Sequence, residues 1–598
     1  EMRTFILRLL AVSILASSMA WAAPVTLPYR FLLVISDQWK DDASLVIQRP
    51  NDFQFLAALM KTWGLPFDIL RLDHQRLDRY HLLDREGRPL YGTIVWNTGA
   101  TKVPDQDLEV LEGLVGQGAS VVVVADAVAN PRVAALAGLR YAGEYKSTDA
   151  LAFPRDHFIV RGMKGREAEL MAGAGYTLGG SQVIAENAAV AGARGNHPYL
   201  TVREVPSGGR VAWLGVARSS SQLRNQLVRD LLKRCLVWAQ GYALYAEYDK
   251  SVSLFLDDMG ASDKTILSYW HYRTLSDQEI RTSLIEPLKR HNSVLDINVV
   301  TGYVDRKTRR ILNPWVQRVV DGIDGKTIHD FASTKRGLDA GVAAGVFQIQ
   351  SHGWTHMLPD LDSAPGPWWD APMDGVGSLD WYNEFADRLR DREIPAAIQK
   401  EHLRRSLEHI REDFGVTPLV LRPGGGAFSS SFANDTSRVA AGMGLGLFTW
   451  NWAVYLSPSL VLSLESLSTR TAWGHEKKLT AAQVPWSVDA PHWISFHDLD
   501  VALDNGSFER LLTDLGPGVR YMSGGEYTAY LHARVERARE DSLALKVDYD
   551  PHYCHAFAAK ESVWTLHLSD QTRRAMGDKV PEKRVIRLPK GVGAHIIR

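Results

Sequence analysis

Val346-Phe347-Gln348-Ile349-Gln350-Ser351-His352-Gly353-Trp354-Thr355-His356 is a short apolar-leaning run that stops on a pair of histidines. Three other segments have the same build. Ser253-Leu254-Phe255-Leu256 leads into Asp257-Asp258, Pro418-Leu419-Val420-Leu421 into Arg422-Pro423-Gly424-Gly425-Gly426, and Trp493-Ile494-Ser495-Phe496 into His497-Asp498. Runs of this length, set apart by helix-like stretches, predict buried strands of a parallel α/β sheet. In such sheets and barrels ligands collect beyond the C-terminal strand ends. Four polar strand ends in one block therefore predict one shared site.

The residue types at those ends suggest metal chemistry. His352 and His356 are four apart, which in a helical turn places both imidazoles on one face. One carboxylate from Asp257-Asp258 completes a set of two histidines and one carboxylate with an open position for water. Adjacent residues diverge, so one aspartate can face the ion while the other faces the water. An ion in such a set activates water and polarises a carbonyl. A free carboxylate can then take a proton, and a histidine opposite can protonate the leaving group. Taken singly, an HxxxH pair, an Asp-Asp pair or an Arg-Pro-Gly loop is more often plain structure. The weight lies in all four standing at strand ends of one block.

Around this block the chain divides in three. Of its 598 residues 23% are charged, and Lys+Arg (68) balances Asp+Glu (69), so no basic excess points to nucleic acid. Two cysteines cannot build a disulfide framework. Residues 1–22 read as a secretory signal peptide: Arg3 and Arg8, the apolar run Leu9–Leu15, then the small-x-small site Ala20-Trp21-Ala22. A periplasmic or secreted location follows as an expectation, with no transmembrane segment in the mature chain. Residues 23–245 alternate strand-like and helix-like runs (Phe31–Ile35, Phe53–Thr62, Phe67–Leu70, Thr93–Trp96, Asp105–Gln117, Ser120–Val124), which predicts a parallel α/β domain. Tyr199–Val205 and Gly209–Leu214 read as antiparallel strands. Residues 246–540 carry the polar strand ends. Residues 541–598, with Leu543–Val547, Ser562–Leu568 and Arg584–Leu588, predict a small β appendage.

Two resemblances follow from these residues. The order of elements after residue 28 resembles glutamine-amidotransferase-like folds. That chemistry needs a nucleophilic Cys at the turn after a strand. Here the turn after Ser120–Val124 is Ala125-Asp126, and Cys235 lies in a helix-like run, so the first domain is expected to be noncatalytic. Asp257-Asp258, His352-x3-His356, Arg422-Pro423 and His497-Asp498, in that order, look like the motifs of the NodB-homology polysaccharide deacetylases, carbohydrate esterases on a distorted (β/α) barrel. The resemblance implies Asp257 as general base, Asp258, His352 and His356 as metal ligands, Arg422 as the residue that orients Asp257, and His497 as general acid. It implies Zn²⁺, or another divalent transition metal that suits nitrogen-rich ligands. The branch it is most similar to is the secreted exopolysaccharide deacetylases, such as the galactosaminogalactan deacetylases of carbohydrate esterase family 18.

This sequence departs from the family pattern in three places. Met259 precedes Gly260 after the two aspartates. Gly424-Gly425-Gly426 stands where a second Pro and an aromatic are usual. Asn451 stands where an Asp usually tunes the catalytic histidine, which leaves Asp498 as a substitute. The expected function is removal of N-acetyl groups from an amino-sugar exopolysaccharide, with polysaccharide-export or biosynthesis proteins as partners. The alternatives are a catalytically weak carbohydrate-binding or assembly protein, and an O-acetyl esterase. Trp450, Trp452, Gly424 and Gly425 are the expected substrate contacts. Trp368, Trp369, Trp381 and Trp473 are further candidates for stacking on sugar rings. His552, Cys554 and His555 are read as structural.

Overall fold

The computed structural model describes residues 27–36, 52–141, 144–170, 176–179, 182–183, 187–192, 197–216, 223, 225–320, 327–359, 378–427, 435–448, 452–457, 460–463, 470–539, 543–553, 561–577, 579–589 and 594–597. The expected signal peptide, Trp368, Trp369, Trp450, Asn451, Cys554 and His555 lie outside them.

The N-terminal block is built on Phe31–Ile35 (β1), Phe67–Arg71 (β2), Thr93–Asn97 (β3), Ser120–Val124 (β4), Pro198–Glu204 (β5) and Arg210–Leu214 (β6). They lie side by side in the order β2-β1-β3-β4-β6-β5, parallel from β2 to β6, with β5 antiparallel to β6. Three more short strands extend the sheet beyond β5. The β-branched run of β4 is buried along its whole length, as a central parallel strand must be. Ala125, the residue after β4, has φ 59°, a left-handed conformation that costs a non-glycine residue energy and is common at active-site turns. Its side chain is only a methyl. Cys235 lies buried in helix Gln226–Gln240, where burial pushes its thiol pKa well up and makes it a poor nucleophile.

The second block is a curled, mostly parallel sheet. Its central strands are Ser251–Met259 (β7), Leu295–Val299 (β8), Phe347–Ser351 (β9), Val420–Leu421 (β10), Gly446–Phe448 (β11) and His492–His497 (β12), in the order β11-β10-β9-β8-β7-β12 and all parallel. Helices Phe331–Ala343 and Ala396–Phe414 connect consecutive strands. Two antiparallel strands, Trp452–Ser457 and Leu460–Ser463, continue the sheet past β11, and Arg470–Ala472 ends it beside β12. The fold is α/β, and the curl is compatible with a distorted barrel.

The C-terminal residues do form short strands, but they are bound into the rest. Ser562–Leu568 pairs antiparallel with Tyr242–Ala246 and with Lys583–Leu588. Arg534–Arg537, Leu545–Asp548 and Ala594–Ile597 make a second small sheet. One apolar core runs through all three parts, from Trp63 and Tyr199 through Tyr245, Phe255 and Trp493 to Tyr527 and Trp564. Trp63, Trp238, Trp493 and Trp564 serve this packing. Trp473, a candidate sugar platform, is buried against Phe496. A buried polar knot ties the first block to the second. Asp489 accepts from Trp63 Nε1 (2.7 Å), Lys233 Nζ (3.0 Å) and Arg229 Nε (2.6 Å).

Candidate active site

The four polar strand ends meet in one cavity of about 370 Å³, lined by Asp257, Asp258, His352, His356, Arg422 and His497 among others. How β7 delivers two consecutive aspartates to one cavity is a local matter. Successive strand residues normally face opposite sides of a sheet. Between Leu256 and Met259 the pairing of β7 with β8 slips, and Asp258 takes φ 72°. The slip and the left-handed residue turn Asp258 to the same side as Asp257. Such outliers in a buried strand persist only where the surroundings over-determine them.

Asp257 is locked from two sides. Arg422 Nε donates to one carboxylate oxygen, and Asn298 Nδ2 donates to the other at 2.8 Å. Burial alone would raise its pKa. The Arg422 guanidinium, with His352 and His497, outweighs burial and holds the carboxyl below the usual carboxylate range. Asp257 is therefore a poised, ionised acceptor.

Asp258, His352 and His356 are buried, and one donor atom from each lies within 4.8 Å of the others. His352 Nε2 is 3.2 Å from Asp258 Oδ1, and His356 Nε2 is 3.6 Å from the same oxygen. His352 Nδ1 sits 2.7 Å from the carbonyl oxygen of Arg422. Donation there fixes the tautomer that leaves Nε2 free to ligate. Burial disfavours charge on Asp258, but its hydrogen bond to His352 and the nearby His497 and His356 hold its pKa far below normal. His352 is correspondingly raised: burial lowers it, and Asp258 and Asp257 more than compensate. Two imidazoles with one carboxylate suit a divalent transition ion. His356 Nδ1 is buried without a hydrogen-bond partner, with Asp263 Oδ2 at 3.6 Å. Burial pushes the Asp263 carboxyl up, against His356 and aided by Asp258.

The two histidines do not share a helical turn. Residues 352–358 are not helical. They form a tight loop in which His356 has φ 61°. The rings still lie together, tilted by 53° with centroids 4.9 Å apart.

His497 stands at the cavity mouth with its side chain 41% exposed, its Nε2 4.0 Å from Asp258 Oδ2. Its ring and that of Trp270 stand nearly perpendicular, with centroids 5.3 Å apart. Asp498 does not support it. That carboxylate turns away to Lys264 and Tyr272, and burial pushes it up to about 6 in spite of Lys264. The carboxylate beside His497 is Asp500. Its Oδ2 accepts the His497 backbone N–H at 2.9 Å and lies 3.9 Å from Nδ1.

Of the expected substrate contacts, Gly425 lines the cavity. Gly424 packs beneath His356, where a Cβ would lie 2.5 Å from the ring. Trp450 lies outside the described residues, and for Trp452 only the backbone strand is described. The aromatics that do line the cavity are Trp270, Tyr382 and Phe448. Sequence reading missed Asn298, Asp263, Trp270, Glu384 and Asp500. Asp500 alone carried a readable signal, an acid three residues after a strand-end residue, the spacing of a helix capping box.

No family model and no curated protein matches the chain. Among solved structures, the family 4 carbohydrate esterase from Streptomyces lividans aligns at 13% identity over 46% of this chain and 92% of its own, with a TM-score of 0.23. The Xyl-CE4 domain of a multidomain xylanase from the hindgut metagenome of Trinervitermes trinervoides aligns at 10% identity over 47% of this chain and 89% of its own, with a TM-score of 0.24. A ThuA-like protein from Parabacteroides merdae aligns at 12% identity over 36% of this chain and 90% of its own, with a TM-score of 0.26. Scores at this level assign nothing to the chain, so its function has to be argued from its own site.

Proposed function

We propose that this protein is a metal-dependent hydrolase that removes acetyl groups from a carbohydrate, and that its substrate is an N-acetylated amino-sugar polymer. The observation that supports this most is the meeting of Asp258, His352 and His356 beside an ionised Asp257 and a partly exposed His497. Asp258, His352 and His356 would hold a divalent ion, with Zn²⁺ the first candidate. Such an ion supplies Lewis-acid polarisation of a carbonyl and lowers the pKa of water. The protein's own groups do the rest. Asp257, oriented by Arg422 and Asn298, accepts the proton of the attacking water. His497, on the other side of Asp258, gives a proton to the departing amine, which cannot leave as an anion. Asp500 holds the strand-end backbone that carries His497.

In this reading the N-terminal block positions polymer or partner and does no chemistry, in keeping with the methyl side chain of Ala125 and the buried Cys235. Its likeness to amidotransferase-like domains, the three-part division at 245 and 540, cleavage after Ala22, export outside the cytoplasm and partners in polymer export belong to the same proposal. Among the described residues no helix is long and apolar enough to cross a membrane. The test is acetate release from an N-acetylated amino-sugar polymer by the full chain, before and after chelation and with divalent ion restored. Release that stops on chelation and returns with the ion is the expected result. Silence on both N- and O-acetylated polymers would leave a binding or assembly protein instead.

A further inference from the structure

The loop that carries His356 is organised by a residue that touches neither substrate nor ion position. Glu384 is buried, and its carboxylate accepts four hydrogen bonds. Oε1 takes the backbone N–H of Trp354 at 3.0 Å and faces His402 Nδ1 at 2.6 Å. Oε2 takes the N–H of Thr355 at 3.1 Å and of His356 at 2.9 Å. Three consecutive amides converging on one anion make a backbone nest, the arrangement that concave anion sites use. The loop is shaped to let the carboxylate in. Gly353 has φ 99°, and a Cβ there would sit 2.0 Å from Glu384 Oε2. Glu384 also donates its own N–H to the carbonyl of Gly424 at 3.2 Å, the residue packed beneath the His356 ring. The His352–His356 loop and the Arg422–Gly426 loop therefore hang on the same residue, one through its carboxylate and the other through its backbone N–H.

We infer that Glu384 is the positioning residue of the ion site: its carboxylate holds His356 in its left-handed conformation and so sets its imidazole opposite His352 and Asp258. The inference rests on the reading of those three residues as an ion site. Its chemistry makes a sharp demand. Glutamine has nearly the same shape, but one of its two terminal atoms is an NH₂ donor. Whichever way the amide lies, that donor would face either the amides of Thr355 and His356 or the amide of Trp354, and at least one backbone hydrogen bond becomes a donor–donor clash. An uncharged isostere should therefore fail where a purely space-filling role would tolerate it.

The experiment uses the full chain stripped of metal and titrated with Co²⁺, followed by its visible absorption, with Zn²⁺ competition for affinity. Glu384→Gln is compared with the parent. Outer-sphere partners of this kind change ion affinity by about 10–100-fold. The expected result is a loss of that size with an altered Co²⁺ spectrum, an unchanged far-ultraviolet circular dichroism spectrum, and faster hydrogen exchange at the 354–356 amides. Parental affinity and spectrum in Glu384→Gln would overturn the role of Glu384. Failure of the parent to bind either ion would overturn the ion-site reading beneath it. If Glu384→Gln does not fold, Glu384→Asp serves. It keeps the charge and withdraws it by one methylene, so weakened ion binding supports the inference and parental binding overturns it.

Discussion

Arg422 serves two neighbours at once: its guanidinium holds Asp257, and its backbone carbonyl receives Nδ1 of His352. One residue at the end of β10 thus fixes both Asp257 on β7 and His352 after β9. Arg422 and Asp257 are both buried, and removing one charge from such a pair costs about 3–5 kcal/mol. Arg422→Ala should therefore lower the melting temperature as well as turnover. Arg422→Lys should not rescue it, because a lysine cannot reproduce the guanidinium fork. Thermal melts beside acetate-release rates check both statements, and a lysine variant with parental rates would contradict them.

Asp257 and Asp258 should separate cleanly. Asp257→Asn removes the proton acceptor and is expected to slow turnover by about 10²–10⁴-fold while ion binding stays near parental. His352→Ala removes one imidazole of the proposed ion site, so ion binding itself should fall. Metal content by mass spectrometry, measured alongside rates, distinguishes the two; a loss of ion in Asp257→Asn would mean the roles are exchanged.

His497→Ala should lose about 10²–10⁴-fold in turnover without losing the ion. Asp500→Ala should show a smaller loss, since it removes the carboxylate beside the ring and a cap bond worth about 1 kcal/mol. Asp498→Asn is expected to act on stability through Lys264 and Tyr272. Were Asp498→Asn to match His497→Ala in rate at parental stability, Asp498 and not Asp500 would be the supporting acid.

Gly424→Ala places a methyl 2.5 Å from Cδ2 of His356. That is far inside van der Waals contact, so the ring or the loop must move. Ion affinity should drop even though no ligand is altered, which a Zn²⁺ competition titration reads directly. Undiminished affinity would show that the Arg422–Gly426 loop yields freely.

The knot around Asp489 predicts an acid dependence of stability. Burial would raise this carboxyl, but Lys233, Arg229 and the bond from Trp63 outweigh it and hold the pKa well below normal. A depressed folded pKa gives stability that is complete above the unfolded value of about 3.9 and is lost as the pH falls below it. Asp489→Asn should cost about 3–5 kcal/mol at neutral pH by stranding Lys233 and Arg229. It should also flatten the fall in stability below about pH 4. Melts of both proteins across that range test the sign, and parallel acid slopes would refute it.

How much of this could be read before folding differs by residue. The strands were legible because β7, β9, β10 and β12 are short apolar runs ending in polar groups, and local hydrophobic pattern reports burial directly. The residue types at their ends also marked candidates that the structure brings into one cavity: Asp257, Asp258, His352, His356, Arg422 and His497. The conformations that aim them were not legible. The left-handed Asp258 depends on slipped pairing with β8, and the His356 loop depends on Glu384, twenty-eight residues away in the chain. Asp498 looked like the partner of His497 because it is adjacent, yet Lys264 and Tyr272, more than two hundred residues earlier, draw it away and leave Asp500 in place. The tryptophans follow the same rule. Composition shows a surplus, and only packing decides that Trp473 fills the core while Trp270 faces the cavity. The sequence by itself determined which residues end strands and which ionisable groups they carry, because those are local properties of the chain. Which side chains face one another, and through which backbone twist, was decided by the order of strands in the sheet and the buried charges that pin its loops, because those contacts join residues far apart along the chain.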